Sequence, residues 1–383
     1  MRFTVTQLLL GAVLAASPAA AADIKEAAPI PIGDEQVQKI TLAGPIAPGD
    51  ADKLKKLISD EGGTIVSLSG EGGDYAEALA IAKLLHETPA MTIVEDGASC
   101  LGPCAIAFLG GTGEAEEELD SGVARSIAPT AKLGFEAPPL ALPESGLSKQ
   151  NADEAYSKAL AMVGDFLRAS KDYGLDAAAS ADIVGSSEPY LVNNAYRLAH
   201  LGVEVQKLAP PAALTLSMAK NLCQAGWQNT EKDPGNVVDQ LMTKLNWKAA
   251  DATFVAKTDY FGDGVEVRRT VIPFDAAGDD PDAGYDFCLV DQAKVDNVLQ
   301  VGCRGFIYGQ TLDDALQRAR DFDGPDAGTY GEPDQDCNLP SGSEPLTLDA
   351  STPQNRWALV PGRTPLDQIA QTLADYVAKE PPL

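Results

Sequence analysis

Residues 64–85 read TIVSLSGEGGDYAEALAIAKLL. Thr64–Leu68 is a run of β-branched and apolar residues, the mark of a buried strand. Gly70, Gly72 and Gly73 then let the chain turn, and Asp74 is placed to cap a helix. Glu77, three residues on, fits the capping-box position, while Leu79, Ala82 and Leu85 recur at helical spacing. Strand, glycine turn and helix in immediate succession form half of a βαβ unit.

The same grammar continues on both sides. Upstream, Lys39–Leu42 is a short strand candidate, followed by turns at Gly44-Pro45 and Pro48-Gly49. Asp50 then leads into the helical pattern ADKLKKLISDEGG, which stops at Gly62-Gly63. Downstream come a strand at Met91–Val94, the turn GASCLGPC (97–104), the apolar helix CAIAFLGG (104–111) and the extended stretch TAKLGFEAP (130–138). This alternation predicts α/β architecture with βαβ crossovers. EAEEELD (114–120) is expected as an exposed insertion, 152–170 as an amphipathic helix and Asn193–Leu201 as a shorter one.

The chain changes character at Ala209-Pro210-Pro211. Beyond it, 212–226 and 235–246 are helical in pattern, and 252–274 is a hairpin turning at Gly262-Asp263-Gly264. DFCLVD and RGFIYG are further strands, and Pro365–Lys379 is a closing helix. The expected division is a signal peptide at 1–22, a linker at 23–37, an α/β domain at 38–210 and a smaller α+β domain at 211–383. The first segment carries Arg2, an apolar stretch from Leu8 to Ala16 and small residues at Ala20–Ala22, which fits a cleavable secretory signal and a periplasmic or secreted location. No later segment reaches eighteen uninterrupted apolar residues, so no membrane span is expected.

With 56 Asp+Glu against 29 Lys+Arg, the formal charge is −27, while 45% of residues are hydrophobic. That hydrophobic share supports a packed core, and a field of this sign disfavours nucleic acid and anionic lipid as partners. Six cysteines in an exported chain point to disulfides rather than metal thiolates. No cofactor is expected. His86 and His200 are lone histidines without ligand-spaced neighbours, so no metal site is assigned to them. The acidic loops 275–286 and 321–336 do not fit the EF-hand pattern and are read as solvated turns.

Several motifs in consistent order resemble the proteolytic subunit of Clp protease and, more broadly, the Clp/crotonase fold. They are KITLAGPIAPGDADKLKKLI (39–58), the 64–85 segment, the 97–111 turn, RSIAPTAKLGFEAP (125–138) and, more weakly, LVNNAYRLAHLGVEV (191–205). The resemblance covers most of 38–206 and implies stacked ββα units there. It implies an oxyanion hole at the Gly72-Gly73 pair, a nucleophile at position 102, a second oxyanion N–H at 103 and an imidazole base at 136. A secreted subset is similar in its Cys-x-Ser-x-Cys turn, where this chain reads Cys100-Leu101-Gly102-Pro103-Cys104.

Three of those four positions lack the chemistry. Gly102 has no side chain to attack a carbonyl, and Pro103 has no N–H. Losing one oxyanion donor costs about 3–4 kcal/mol of transition-state stabilisation. Glu136 stands where the imidazole would be, and Glu188 lies near the place of an orienting acid. Gly72 and Gly73 remain, either as donors to a cleft or as turn residues. A Cys100–Cys104 disulfide is expected across the turn, and Cys288–Cys303 would join two predicted strands. The reading is an exported pseudoenzyme that binds or scaffolds an unknown protein or peptide, with homo-oligomerisation left open. The alternatives are a hydrolase using Ser99 or Ser69, and a crotonase-type enzyme with Glu136 as base.

Overall fold

The computed structural model describes residues 21–32, 35–59, 63–88, 90–113, 123–140, 148–175, 177–227, 235–258, 261, 264–276, 284–295, 297–322, 337, 346–348 and 356–383. Residues 1–20 of the expected signal peptide (1–22), the expected insertion 114–120, and most of the acidic loops 275–286 and 321–336 lie outside the described residues.

The first unit opens with β1 (Asp23–Ile32) and β2 (Glu35–Ala43), then α1 (Asp50–Lys55), β3 (Thr64–Glu71), α2 (Tyr75–Glu87) and β4 (Ala90–Val94). It continues through β5 (Ser99–Leu101), α3 (Pro103–Phe108), β6 (Arg125–Ile127), β7 (Lys132–Phe135), α4 (Lys149–Asp172), α5 (Ala177–Gly185), β8 (Tyr190–Leu191), α6 (Ala195–His200) and β9 (Val203–Val205). The strand order is β8-β7-β5-β3-β4-β6-β9, with β2 added to β3 and β1 to β2. All pairs are parallel except β1–β2 and β7–β8.

β3 is the hinge of this sheet. Thr64–Ser67 pairs with β4, whereas Gly70–Glu71 pairs with β5, so the sheet curls into two wings that share one strand. Ile40, Leu42, Val66, Leu68 and Val94 are fully buried, as are Ala78, Ile81, Ala82 and Leu85 of α2 and the apolar residues of α3. The expected α/β class is therefore observed.

Two local expectations need correction. The stretch 23–37 is not a linker, since it holds β1, which pairs antiparallel with β2 from Asp23↔Ala43 onward. β1 forms the edge of the sheet, where none of its residues 23–31 is buried, and Pro29 and Pro31, which argue against a strand in the sequence, are tolerated at such an edge. At α2, Asp74 does cap, accepting from the Glu77 N–H at 2.9 Å. Glu77, however, turns to the Ala51 N–H at 2.8 Å and caps α1 instead of closing a box, because the Asp74 N–H is taken by Ile46 O.

The second unit contains α7 (Leu216–Trp227), α8 (Gly235–Lys244), α9 (Ala249–Ala252), β10 (Thr253–Thr258), β11 (Val265–Ala276), β12 (Tyr285–Val295), β13 (Val298–Gly309), α10 (Leu312–Asp321) and β14 (Leu346–Leu348). Its strands form an antiparallel sheet in chain order. One face packs Val271, Phe287, Leu289 and Ile307 against Leu241 of α8 and Ala315, Leu316 and Ala319 of α10. The opposite face, with Ile272, Cys288, Val290 and Phe306, belongs to the same hydrophobic cluster as the first unit.

A closing segment binds the two units together. It comprises a 3₁₀ turn at Arg356–Leu359, another at Leu366–Gln368, and α11 (Ile369–Lys379). Tyr196 donates to Gly362 O at 2.7 Å, Ala195 to Thr364 O at 3.0 Å, and Leu383 to Leu214 O at 3.0 Å.

Disulfides tie the second unit further, and here the sequence expectation fails. Cys288 bonds Cys223 of α7, and Cys303 bonds Cys337; no Cys288–Cys303 bridge forms. A register shift between Leu289 and Val290 pairs Cys288 with Phe306 and sets Cys303 opposite Val290. The two sulfurs approach to 3.8 Å, but α7 and the Cys337 segment each present a partner of their own.

The junction also carries a pH-sensitive group. Burial raises the Glu204 carboxyl of β9 from 4.5 to about 7, against the opposing pull of Arg356. A raised acid pKa means the folded chain holds a proton that the unfolded chain releases. This contribution to stability is complete below about pH 4.5 and lost as pH rises through about 7. Urea unfolding should show the wild type losing on the order of 3 kcal/mol more than Glu204→Gln between pH 4.5 and 8. Equal losses in the two proteins would refute the assignment.

Candidate functional site: a glycine elbow under a carboxylate

The register of β3, β5, β7 and β8 sets Glu71, Leu101, Gly134 and Leu191 in one row across the sheet. One residue further along, β3 reaches the Gly72-Gly73 turn and β5 reaches Gly102. The sheet itself thus brings together segments far apart in the chain.

Gly102 caps α3 with φ 58° and ψ −122°, and its N–H donates to Gly134 O at 2.9 Å. L-residues with side chains rarely adopt this conformation, and those that do are held there by their surroundings. β5, this tight turn and α3 thus follow one another directly, with no side chain at the turn itself. Pro103 occupies the first helical position, which suits its fixed φ and missing N–H.

Glu136, one residue beyond β7, reaches back over the turn. A Cβ built on Gly102 would lie 3.0 Å from Glu136 Oε2 and 3.5 Å from its Cδ. The carboxylate thus fills the space into which a side chain at 102 would grow. The resemblance implies a nucleophile position at 102 and a base position at 136, and the fold brings these two residues within contact range.

Cys100 and Cys104 are disulfide-bonded with Cα atoms 5.1 Å apart. The expected bridge is present, although Cys100 lies on β5 and only Cys104 on α3, so it straddles Gly102 rather than lying along a helix. Both cysteines are fully buried.

The glycine pair divides into two roles. Gly73 has φ 117°, and a Cβ there would meet Ile46 O at 2.4 Å and Ile46 N at 2.5 Å. Its lack of a side chain serves the close passage of the Ile46 segment, with which it forms a bridge. Gly72 has φ 72° and open space around it, so only the backbone turn demands glycine there.

Glu188 precedes β8 by two residues and is exposed. Its backbone N–H donates to Ser186 Oγ at 3.1 Å, and its carbonyl accepts from the same hydroxyl at 2.6 Å. No bond links its carboxylate to Glu136. Arg197 of α6, which sequence reasoning did not single out, donates to Leu191 O at 2.7 Å and lays its guanidinium 4.5 Å from the Tyr190 ring centroid. It flanks the β8 side of the row, and as one surface arginine among many it gave no sequence signal.

The histidines are engaged elsewhere. His86 lines a separate cleft of about 420 Å³ between α2 and α4, with its ring edge-on to Tyr173 at 5.5 Å. His200 packs on Tyr196 within α6 at 4.1 Å. Ser99 begins β5 and pairs with Lys132; Ser69 pairs with Ala43. Among the described residues, no helix is long and apolar enough to cross a membrane.

No protein-family model and no curated protein matches this sequence. Among solved structures, the chain is similar to 1510-N, a membrane-bound stomatin-specific protease, in a serine-to-alanine mutant. That likeness has 15% identity and a TM-score of 0.32, covering 43% of this chain and 76% of the other. A lysine-to-alanine mutant of the same protease with a substrate peptide gives 15% identity and a TM-score of 0.31, covering 43% and 72%. An asparagine-to-aspartate mutant of ClpP1 from Listeria monocytogenes gives 12% identity and a TM-score of 0.28, covering 40% and 81%.

Proposed function

We propose that this chain is an exported binding or scaffolding protein, built on a Clp-like fold, whose cleft keeps the shape of a serine-protease site without its chemistry. One observation carries the reading. At the elbow, the position for a nucleophile is a glycine in a nucleophile-turn conformation, and a carboxylate stands in the space of the missing side chain. Pro103 removes the adjacent oxyanion donor, leaving Gly72 as the remaining candidate donor. With no side-chain hydroxyl at 102 to deprotonate, a carboxylate at 136 has no nucleophile to activate there, so the imidazole's proton relay has no counterpart at this turn. The Cys100–Cys104 bridge supports retention of the turn for binding, since it fixes the backbone where a peptide would lie. In this reading the occupant is a protein or peptide.

The test is labelling of the mature protein with a fluorophosphonate probe, alongside peptide hydrolysis. Wild type is expected to remain unlabelled. Gly102→Ser is expected to remain unlabelled too, because it restores neither a base nor the N–H at 103. Labelling of wild type that disappears on mutating one serine, Ser99 or Ser69 included, would establish the hydrolase alternative.

Glu136 supports a second reading, a crotonase-type enzyme with that carboxylate as base. Turnover of an acyl thioester that is abolished by Glu136→Gln would favour it, although Pro103 leaves such a site short of one enolate donor.

A further inference from the structure

We infer, resting on the reading of the cleft as a peptide-binding site, that its apolar floor and Glu136 together select a long cationic side chain, lysine or arginine, on the bound peptide. Gly134 lies at the centre of that floor. A Cβ built on it would lie 2.7 Å from Leu191 Cδ2 and 2.9 Å from Leu101 Cδ2. The two leucines therefore converge over the glycine from the strands on either side of β7. Leu191 stays 42% exposed. A lone exposed leucine needs no explanation, but two gathered over a bare glycine form an apolar platform.

Glu136 stands at the end of this platform. Strand residues two apart share a face, so Glu136 follows Gly134 on the same side, about 6.7 Å further along. Its Oε2, 3.0 Å from the place of a Gly102 Cβ, is turned toward β5. Glu136 is exposed, and its carboxylate has no hydrogen-bond or ion-pair partner among the described residues. The neighbouring cations do not neutralise it. Arg197 donates to Leu191 O and lies against the Tyr190 ring, which faces the opposite side of β8 from Leu191. Lys132 is four residues back along β7, about 13 Å away, beyond the reach of the two side chains.

An apolar platform ending in an unneutralised carboxylate matches one side-chain chemistry. Lysine and arginine carry an apolar stem under a cationic head. With the stem laid over Leu101 and Leu191, the head arrives at Glu136, because a step of about 6.7 Å is close to the length of a four-carbon stem with its ammonium. An uncharged apolar side chain covers the leucines but leaves the carboxylate unpaired. An acidic one meets like charge from Glu136, with Glu71 and Glu188 exposed on either side. Gly102 is part of the fit, since a side chain there would displace the carboxylate that receives the head.

Fluorescence anisotropy with dye-labelled alanine-rich peptides carrying one central lysine, norleucine or glutamate tests the selection. The mature chain should bind the lysine peptide about five- to tenfold tighter than the norleucine peptide, with the preference shrinking as salt rises. Glu136→Gln should make the two equal, and Glu136→Lys should move the preference to the glutamate peptide. Leu191→Ser should weaken the lysine and norleucine peptides alike. Asp313→Asn, which removes an exposed carboxylate of α10, should leave the preference intact. Melting temperatures of the Glu136 variants check that the fold is unchanged. Equal binding of lysine and norleucine peptides by wild type would overturn the cationic selection and leave the peptide-binding reading standing. A lysine preference that survives Glu136→Gln would overturn the role of that carboxylate. Binding of none of the three peptides would overturn both the selection and the reading beneath it.

Discussion

Asp291→Ala is expected to cost about 3–5 kcal/mol of folding stability, among the largest single-residue effects in this chain. Asp291 and Arg269 are cross-strand partners on β12 and β11, and both side chains are fully buried. Arg269 Nε donates to Oδ1 at 2.8 Å and Nη2 to Oδ2 at 2.7 Å, while Nη1 reaches Ala319 O of α10 at 3.1 Å. Removing the carboxylate strands a guanidinium in the core of the second unit. The cost is the desolvation of that orphan, not the net worth of the pair, so Arg269→Met/Asp291→Leu should recover most of it. Urea unfolding of the two variants measures both quantities. A loss below about 1 kcal/mol in Asp291→Ala would show that water reaches the pair. Since whole domains are stable by about 5–15 kcal/mol, the single variant should sit near the edge of folding at 37 °C.

Removing the Cys223–Cys288 disulfide as a double alanine variant should cost about 4 kcal/mol, and removing Cys100–Cys104 about 2 kcal/mol. The difference follows from loop length, because the first bridge spans 65 residues and the second only 4. A short bridge restrains little of the unfolded chain. The Cys100–Cys104 strap should therefore register less in melting temperature than in the conformation of the elbow. Thermal melts of the two variants, with hydrogen exchange across 97–109, separate these effects. Equal stability losses would mean that native packing, rather than unfolded-chain entropy, sets both values.

Much of the first unit was legible because its signals are local. The strand at Thr64–Leu68, the cap at Asp74 and the turn at Gly49 depend on neighbours in sequence. β1 and α10 were not anticipated. β1 is an edge strand interrupted by Pro29 and Pro31, and LDDALQRARD holds its place by packing three small or apolar residues on a sheet that forms elsewhere. The cysteine pairing in the second unit was misjudged because it turns on the β12–β13 register and on where Cys223 of α7 and Cys337 lie, which no local pattern reports.

The sequence by itself determined what three residues can offer. Gly102 has no side chain, Pro103 has no N–H and Glu136 has no imidazole; these facts hold for any conformation. The strand–glycine–helix grammar likewise set the α/β class, since propensity and turn chemistry act within a few residues. Tertiary structure alone decided that Gly102 is held at φ 58° and that the Glu136 carboxylate stands over it. It also decided that Gly73 is needed for the passage of Ile46. Those outcomes depend on the register of β3, β5 and β7, and register is set by the packing of whole sheet faces rather than by the residues that happen to meet at their ends.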